Sequence, residues 1–399
     1  MSSVCDNNIC TGCGACSVRC PKKCIEMIED SEGFLIPDID DSKCIHCGLC
    51  HRSCHVLNKI TGSIGEYCKA WHKNKNVLLK SSSGGIFTAL ATHVLNEGGV
   101  VIGAEINQKT RILKHVAIRS VEELDRIRLS KYYQSDTKEI FGQVKELLRN
   151  EKQVLFCGTA CQVAALKVLL AEPYESLITV DVLCHGVTNK KMIDSYVHCK
   201  EKKYKKKIKS IFFRVKSGKT GWMKGGGTRM KLEFEDGSSV ITDKETDTFF
   251  TAFNNNLILR EACYSCKYCG EERVSDFTLA DHWGIEENEV SNEQKWYGVS
   301  LILANTQKAQ DFLNRINEEI EISPTNRKAA IKNNRALVRS NSRPDNRSDI
   351  FSVINQIGFD DAIYSVLKNY YRKAKIRGII YKIIGEQNYI KIMTKIRNG

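Results

Sequence analysis

Proline is scarce in this chain, five in 399 residues, which excludes Pro-rich tails and low-complexity linkers. Long apolar runs are missing too. None approaches the ~18 residues of a membrane-spanning helix, so no such span is expected. Met1 to Cys10 carry neither a basic start nor an apolar stretch, so a secretory signal is not expected and a cytoplasmic location is. No nucleic-acid-binding motif accompanies the positive charge, and nucleic acid is not an expected partner. What remains is a globular balance of 42% hydrophobic and 27% charged residues, too apolar for a disordered chain. The length fits two or three domains of ~150 residues.

The net charge of +13 is concentrated in two blocks. His198 to Lys219 holds ten Lys/Arg against one Glu, and Ser365 to Gly399 holds nine against one. The run Lys202 to Lys209 suits an acidic partner or polyanion, and equally a solvated face. Tyr370 to Arg397 mixes Ile and Tyr with Lys and Arg. That pattern fits a helix in peripheral contact with a membrane or an ordinary terminal helix.

Cysteine is the abundant residue, eighteen in all, ten of them before residue 55. In a long chain expected in a reducing compartment, such density points to metal or cluster ligands rather than disulfides. Cys10-x2-Cys13-x2-Cys16-x3-Cys20-Pro21 recurs 34 residues later as Cys44-x2-Cys47-x2-Cys50-x3-Cys54, with His55 in place of proline. Three thiolates two residues apart wrap one face of a cubane, and the fourth ligates the other cluster. Cys10, Cys13, Cys16 and Cys54 are therefore expected on one [4Fe–4S] cluster, and Cys44, Cys47, Cys50 and Cys20 on a second. Zinc sites instead pair two C-x2-C knuckles. Cys5 and Cys24 are left over as small buried residues. Cys263, Cys266 and Cys269 share x2 spacing and suit a cluster or a zinc site. Cys157 and Cys184 read either as ligands or as buried hydrophobes. Cys68 and Cys199 read as structural.

Along the chain, residues 1–62 form the first unit, with short strands between Ile25 and Ile39 around Asp30-Ser31-Glu32-Gly33 and a linker near Thr61-Gly62-Ser63. From residue 66, helix and strand alternate. Gly85 to Asn96 reads as a helix and Val100 to Ile106 as a strand. Val121 to Arg128 and Thr137 to Arg149 read as helices. Val154 to Phe156, Cys161 to Ala171 and Leu177 to Leu183 make a β-α-β unit with parallel strands. Cys161 and Cys184 then lie at the carboxyl edge of the sheet, where ligands bind. Lys209 to Val215 and Arg229 to Phe234 read as antiparallel strands, and 306–399 as helical and basic. Ser81-Ser82-Ser83-Gly84-Gly85, before a helix, suits a phosphate or a flat ring or simply a cap. Gly158-Thr159, between strand and helix, suits a pyrophosphate, and Gly225-Gly226-Gly227 a close approach. The expected fold is a ferredoxin-like module, a mixed α/β or α+β body and a helical tail.

Five phrases, in order, are Ser82 to Leu90 (SSGGIFTAL), Ser130 to Ser135 (SKYYQS), Cys157 to Val163 (CGTACQV), Val182 to Val187 (VLCHGV) and Ser275 to Gly284 (SDFTLADHWG). They resemble the coenzyme F-420 hydrogenase/dehydrogenase beta-subunit family over residues 66–305, behind a bacterial-type ferredoxin. The resemblance implies a flavoprotein with FAD and a third [4Fe–4S] cluster. Its ligands would be Cys161, Cys184, Cys263 and Cys266, with Cys157 and Cys269 in reserve. FAD would contact Ser82, Ser83, Gly84, Gly85, Lys131, Tyr132, Gly158 and Thr159. His185, Lys131 and Asp281 are the candidate proton donors beside it. Family members with this ferredoxin front often resemble products of surface-polysaccharide gene clusters. Ala160, Thr188-Asn189, Glu261-Ala262, Ala280 and His282 depart from the family pattern. The cluster ligands survive those departures, and the family's deazaflavin substrate does not carry over.

Two functions follow as expectations. One is an oxidoreductase passing electrons from a ferredoxin-type donor through clusters to FAD and on to an organic small molecule. The alternative is an electron-transfer subunit of a larger redox complex with no substrate of its own. A cluster- or zinc-bearing scaffold is a third and weaker expectation.

Overall fold

The computed structural model describes residues 3–218, 221–222, 229–242, 247–286 and 288–376. Gly225 to Gly227 and most of Tyr370 to Arg397 lie outside them. Among the described residues, no helix is long and apolar enough to cross a membrane.

The N-terminal module holds β1 (Ile25–Glu29) and β2 (Leu35–Ile39), paired antiparallel. The Asp30 carboxylate accepts from the Glu32 and Phe34 amides and so closes the turn. The cysteine repeat is also a backbone repeat. Gly14 and Gly48, both left-handed, start the short helices Ala15–Arg19 and Leu49–Arg52. The Gly12 and His46 amides, both at positive φ, donate to Cys10 and Cys44 Sγ, each at 3.4 Å.

The expected linker is tied down instead. β3 (Ser63–Ile64) pairs with β12 (Glu272–Arg273), and Ser63 Oγ donates to the Asn305 carbonyl at 2.5 Å.

The body is built on an eight-stranded mixed sheet, in spatial order β15-β4-β14-β13-β8-β7-β5-β6. Its strands are β4 (Glu66–His72), β5 (Val100–Ile106), β6 (Leu113–Ile118), β7 (Val154–Thr159), β8 (Leu177–Val182), β13 (Phe277–Asp281), β14 (Ser300–Ala304) and β15 (Ile320–Pro324). The β-α-β reading stands: β7 and β8 are parallel neighbours joined by helix Ala160–Leu170. Apolar runs such as Val-Leu-Phe in β7 are buried because helices cover the parallel strands on both faces. A separate three-stranded sheet contains β9 (Ile208–Phe212), β10 (Lys231–Phe234) and β11 (Ser239–Ile241).

The region from 306 onward is not wholly helical. Ile320–Pro324 is an edge strand of the main sheet, paired with β4. Its Ile-Glu-Ile alternation is the period-2 signal of a half-buried strand. The helices Arg347–Ile357 and Phe359–Val366 follow.

Candidate functional site

At the carboxyl edge of the parallel strands lies a cavity of about 460 Å³, the size of a small-molecule or cofactor site. It takes in His185, Lys131 and Asp281, and every residue expected at the flavin except Gly84. Gly84 has a packing reason of its own. A Cβ there would come within 2.6 Å of the Ala70 carbonyl and 2.8 Å of the Ser300 amide. Gly85 takes the left-handed turn (φ 82°) that starts helix Ile86–Asn96. Ser82 Oγ accepts from the Ser130 amide, tying two of the phrases into one wall. Thr159 and Gln162 form a capping box at the N-terminus of helix Ala160–Leu170.

The three proton-donor candidates differ in what they can do. Lys131 Nζ is buried and donates to the Arg128 carbonyl at 2.6 Å, and burial pushes its amine down to about 7. It therefore exchanges a proton near neutral pH. His185 is also pushed down by burial, and its Nε2 lies 3.2 Å from the Phe253 carbonyl. A carbonyl only accepts, so that nitrogen carries a hydrogen and the ring is neutral. Asp281 accepts from Arg214 at 2.6 and 3.1 Å and from Trp222 Nε1 at 2.7 Å. That suits an anchor for Arg214 better than a proton donor.

Sequence reasoning missed several residues of this wall. Arg214 is one of ten cations in a basic block and nothing marks it out, yet it is only 7% exposed. Trp222, which does not itself line the cavity, stacks on Trp283, which does, with centroids 4.7 Å apart and planes 7° apart. His115 lies 2.9 Å from both the Cys157 carbonyl and Ser135 Oγ, stacked on Phe156. Burial pushes His115 down to about 4, so it stays neutral.

The cysteines gather as three groups. Cys10, Cys13, Cys16 and Cys54 line one small cavity, so Cys54 joins the first run across 44 residues of chain. Hydrogen bonds from Cys5 pull Cys10 and Cys54 down toward the thiolate that a metal ligand must be. Cys20, Cys44 and Cys50 are half-buried against the same apolar cluster, and Cys47 is exposed. Cys161, Cys184, Cys263 and Cys266 lie close enough to raise one another's charging cost. Burial pushes Cys161 to about 11 and Cys263 to about 12, so iron would displace protons there. Among the described residues, no three His, Cys, Asp or Glu converge on one metal ion. A [4Fe–4S] cube holds its thiolates at separate corners and asks for no such convergence. Thiol-only sets, with amides aimed at Cys10 and Cys44, fit cubes.

The module docks on the body through its first run. Arg260, 3% exposed, donates to the carbonyls of Cys10 and Leu35, each at 2.7 Å, and to Gln134 Oε1 at 2.8 Å. Gln134 and Thr137 donate in turn to the carbonyls of Thr11 and Cys13. His55, which stands where the first run has proline, is fully buried. It lies 2.7 Å from Tyr268 Oη and 2.8 Å from Thr11 Oγ1. Cys13, Cys161 and Cys266 all pack against the apolar cluster containing Tyr268. The first cysteine group thus meets the third at Cys13, and the second reaches solvent at Cys47.

Residues 67–141 match the N-terminal part, and residues 151–328 the C-terminal part, of the coenzyme F420 hydrogenase/dehydrogenase beta subunit. Residues 9–58 match a 4Fe-4S dicluster domain. No curated protein matches the chain. Among solved structures, a chain of the xenon-derivatised F420-reducing [NiFe] hydrogenase complex from Methanosarcina barkeri is similar at 17% identity and a TM-score of 0.46. The alignment covers 74% of this chain and 94% of that one. This chain is an iron–sulfur redox protein that belongs to the coenzyme F420 hydrogenase/dehydrogenase beta-subunit family, with a 4Fe-4S domain in front.

Proposed function

We propose that the chain is an electron-transfer subunit of a larger redox assembly, working between a partner protein and FAD held in the cavity. The carrying observation is the spatial order of the cysteine groups. The second group is open to solvent at Cys47, the first is buried at the docking surface, and the third reaches the cavity through Cys161 and Cys184. Bound clusters pass electrons singly, and a bound flavin couples that traffic to two-electron chemistry. The fit to FAD rests on the cavity wall. Arg128 Nε is buried there without a hydrogen-bond partner among the described residues, a donor that a phosphate would satisfy. The other residues have definable work. Lys131 holds or releases a proton at Nζ, Arg214 is fixed by Asp281, whose carboxylate Trp222 also holds, and Arg260 holds the two cysteine groups together. Anaerobic purification followed by iron, sulfide and flavin analysis tests the reading. About twelve irons and one FAD per chain are expected for three [4Fe–4S] clusters. About eight irons and no flavin would overturn it.

One observation favours turnover of an organic substrate by the chain itself. Trp283 stands on the cavity wall 36% exposed, beside the Arg214–Asp281 pair, and offers a stacking face. Steady-state reduction of small acceptors by the isolated chain separates the readings. The subunit reading expects turnover only with the partner present.

Lys131 adds a pH prediction. Its amine, pushed down to about 7 by burial, is protonated below that pH and neutral above it. Proton-coupled reduction of the cavity's cofactor is expected to slow as pH rises through about 7. Lys131→Met should flatten the profile, and an unchanged profile in that variant excludes the role.

A further inference from the structure

Two cysteines outside the ligand runs occupy matching places. Cys5, 8% exposed, lines the small cavity with Cys10, Cys13, Cys16 and Cys54, and hydrogen-bonds both Cys10 and Cys54. Cys24, 4% exposed, lies with its Sγ 3.4 Å from that of Cys20 and also hydrogen-bonds Cys44. The 34-residue repeat exchanges Cys10 with Cys44 and Cys54 with Cys20. Cys5 and Cys24 are therefore mates in space. They are not mates in sequence: the repeat places Ile39 opposite Cys5 and Asn58 opposite Cys24. Two unrelated positions have converged on one arrangement, which simple inheritance of the repeat does not explain. A third instance follows in the body, where Cys269 hydrogen-bonds Cys266.

We infer that Cys5 and Cys24 are fifth cysteines of the two N-terminal clusters, each a non-ligand thiol set between two ligand sulfurs, whose single S–H donates to one of them and so raises that cluster's reduction potential. This rests on reading the two runs as cluster ligands. Reduction adds one negative charge, spread largely over iron and sulfur. A donor aimed at those sulfurs stabilises the reduced form more than the oxidised one. Both thiols are buried against ligand sulfurs, Cys24 with its Sγ 3.4 Å from that of Cys20 and Cys5 in the cavity that Cys10 and Cys54 line. The amides of Gly12 and His46 already donate to Cys10 and Cys44. The fifth cysteine adds a donor between the run's first cysteine and the one contributed by the other run.

The test uses the full chain, purified without oxygen, with iron analysis and potentiometric titration followed by EPR. If the wild type holds no N-terminal clusters, the ligand reading fails and the inference falls with it. If it holds them, Cys5→Ala and Cys24→Ala are each expected to retain the wild-type iron content. Each should shift one cluster's midpoint to lower potential and leave the other in place. Cys5→Ser, which keeps an O–H donor, should recover part of the shift. Unchanged midpoints in both alanine variants would make these residues packing only and overturn the inference. Loss of about four irons in Cys5→Ala and in Cys5→Ser alike would make Cys5 a ligand and overturn it as well.

Discussion

Replacing Cys161 by alanine is expected to take the iron content from about twelve atoms per chain to about eight, the loss of one [4Fe–4S] cluster. The N-terminal clusters should keep their EPR signals, because six of the eight cysteines in their runs, Cys10, Cys16, Cys20, Cys44, Cys50 and Cys54, pack in an apolar cluster apart from Cys161. Electrons entering at the exposed Cys47 end should then no longer reach the cavity, and donor-dependent reduction of its cofactor should drop to background. The contrast is Cys157→Ala. The Cys157 carbonyl is bound by His115, and the residue does not share the apolar cluster in which Cys161, Cys266 and Tyr268 meet. That variant should keep its full iron. If Cys157→Ala loses iron and Cys161→Ala does not, the assignment of the third group is wrong.

The reason for testing these two residues lies in how differently the cysteine groups can be read. The N-terminal runs are legible because most of their spacing is local: three cysteines of each group fall within seven residues, and the repeat itself supplies the fourth from the other run. Cys161, Cys184, Cys263 and Cys266 come from three separate segments. What unites them is the adjacency of the β7 and β8 ends and the return of the chain near residue 260, and no window of sequence contains that. Only the family phrases pointed to the set. The basic block hides its own structure for a related reason. Lys200 and Arg214 look like their neighbours, yet they are 3% and 7% exposed and paired with Asp360 and Asp281. A charge run reports composition, while burial depends on which helix or strand face each residue occupies. The helix Ile86–Asn96 and strand Val100–Ile106 were legible because their apolar spacing and the Gly98-Gly99 stop agree. The strand Ile320–Pro324 was not, because five residues of alternation are easily lost in a helical, charged neighbourhood.

Arg273→Met is the substitution expected to cost the most stability. Arg273 and Asp181 are buried side chains, 2% and 0% exposed, joined at 2.7 Å. Asp181 sits on β8 directly after the run Leu-Ile-Thr-Val, and its carboxylate accepts from Arg273 and Ser275. Removing one partner of a buried pair leaves an uncompensated charge, at a cost of about 3–5 kcal/mol. The same guanidinium donates to the carbonyls of Tyr268 and Gly270. It therefore also pins the loop that carries Cys266 and Cys269 against the sheet. Anaerobic chemical denaturation should show the loss of stability, and iron analysis should show the third cluster leaving before the N-terminal two. The double variant Asp181→Asn/Arg273→Met removes the stranded charge. It should recover part of the stability while the loop stays unpinned and the third cluster stays labile. If the double variant is no more stable than Arg273→Met alone, the cost comes from the two loop carbonyls and not from the ion pair.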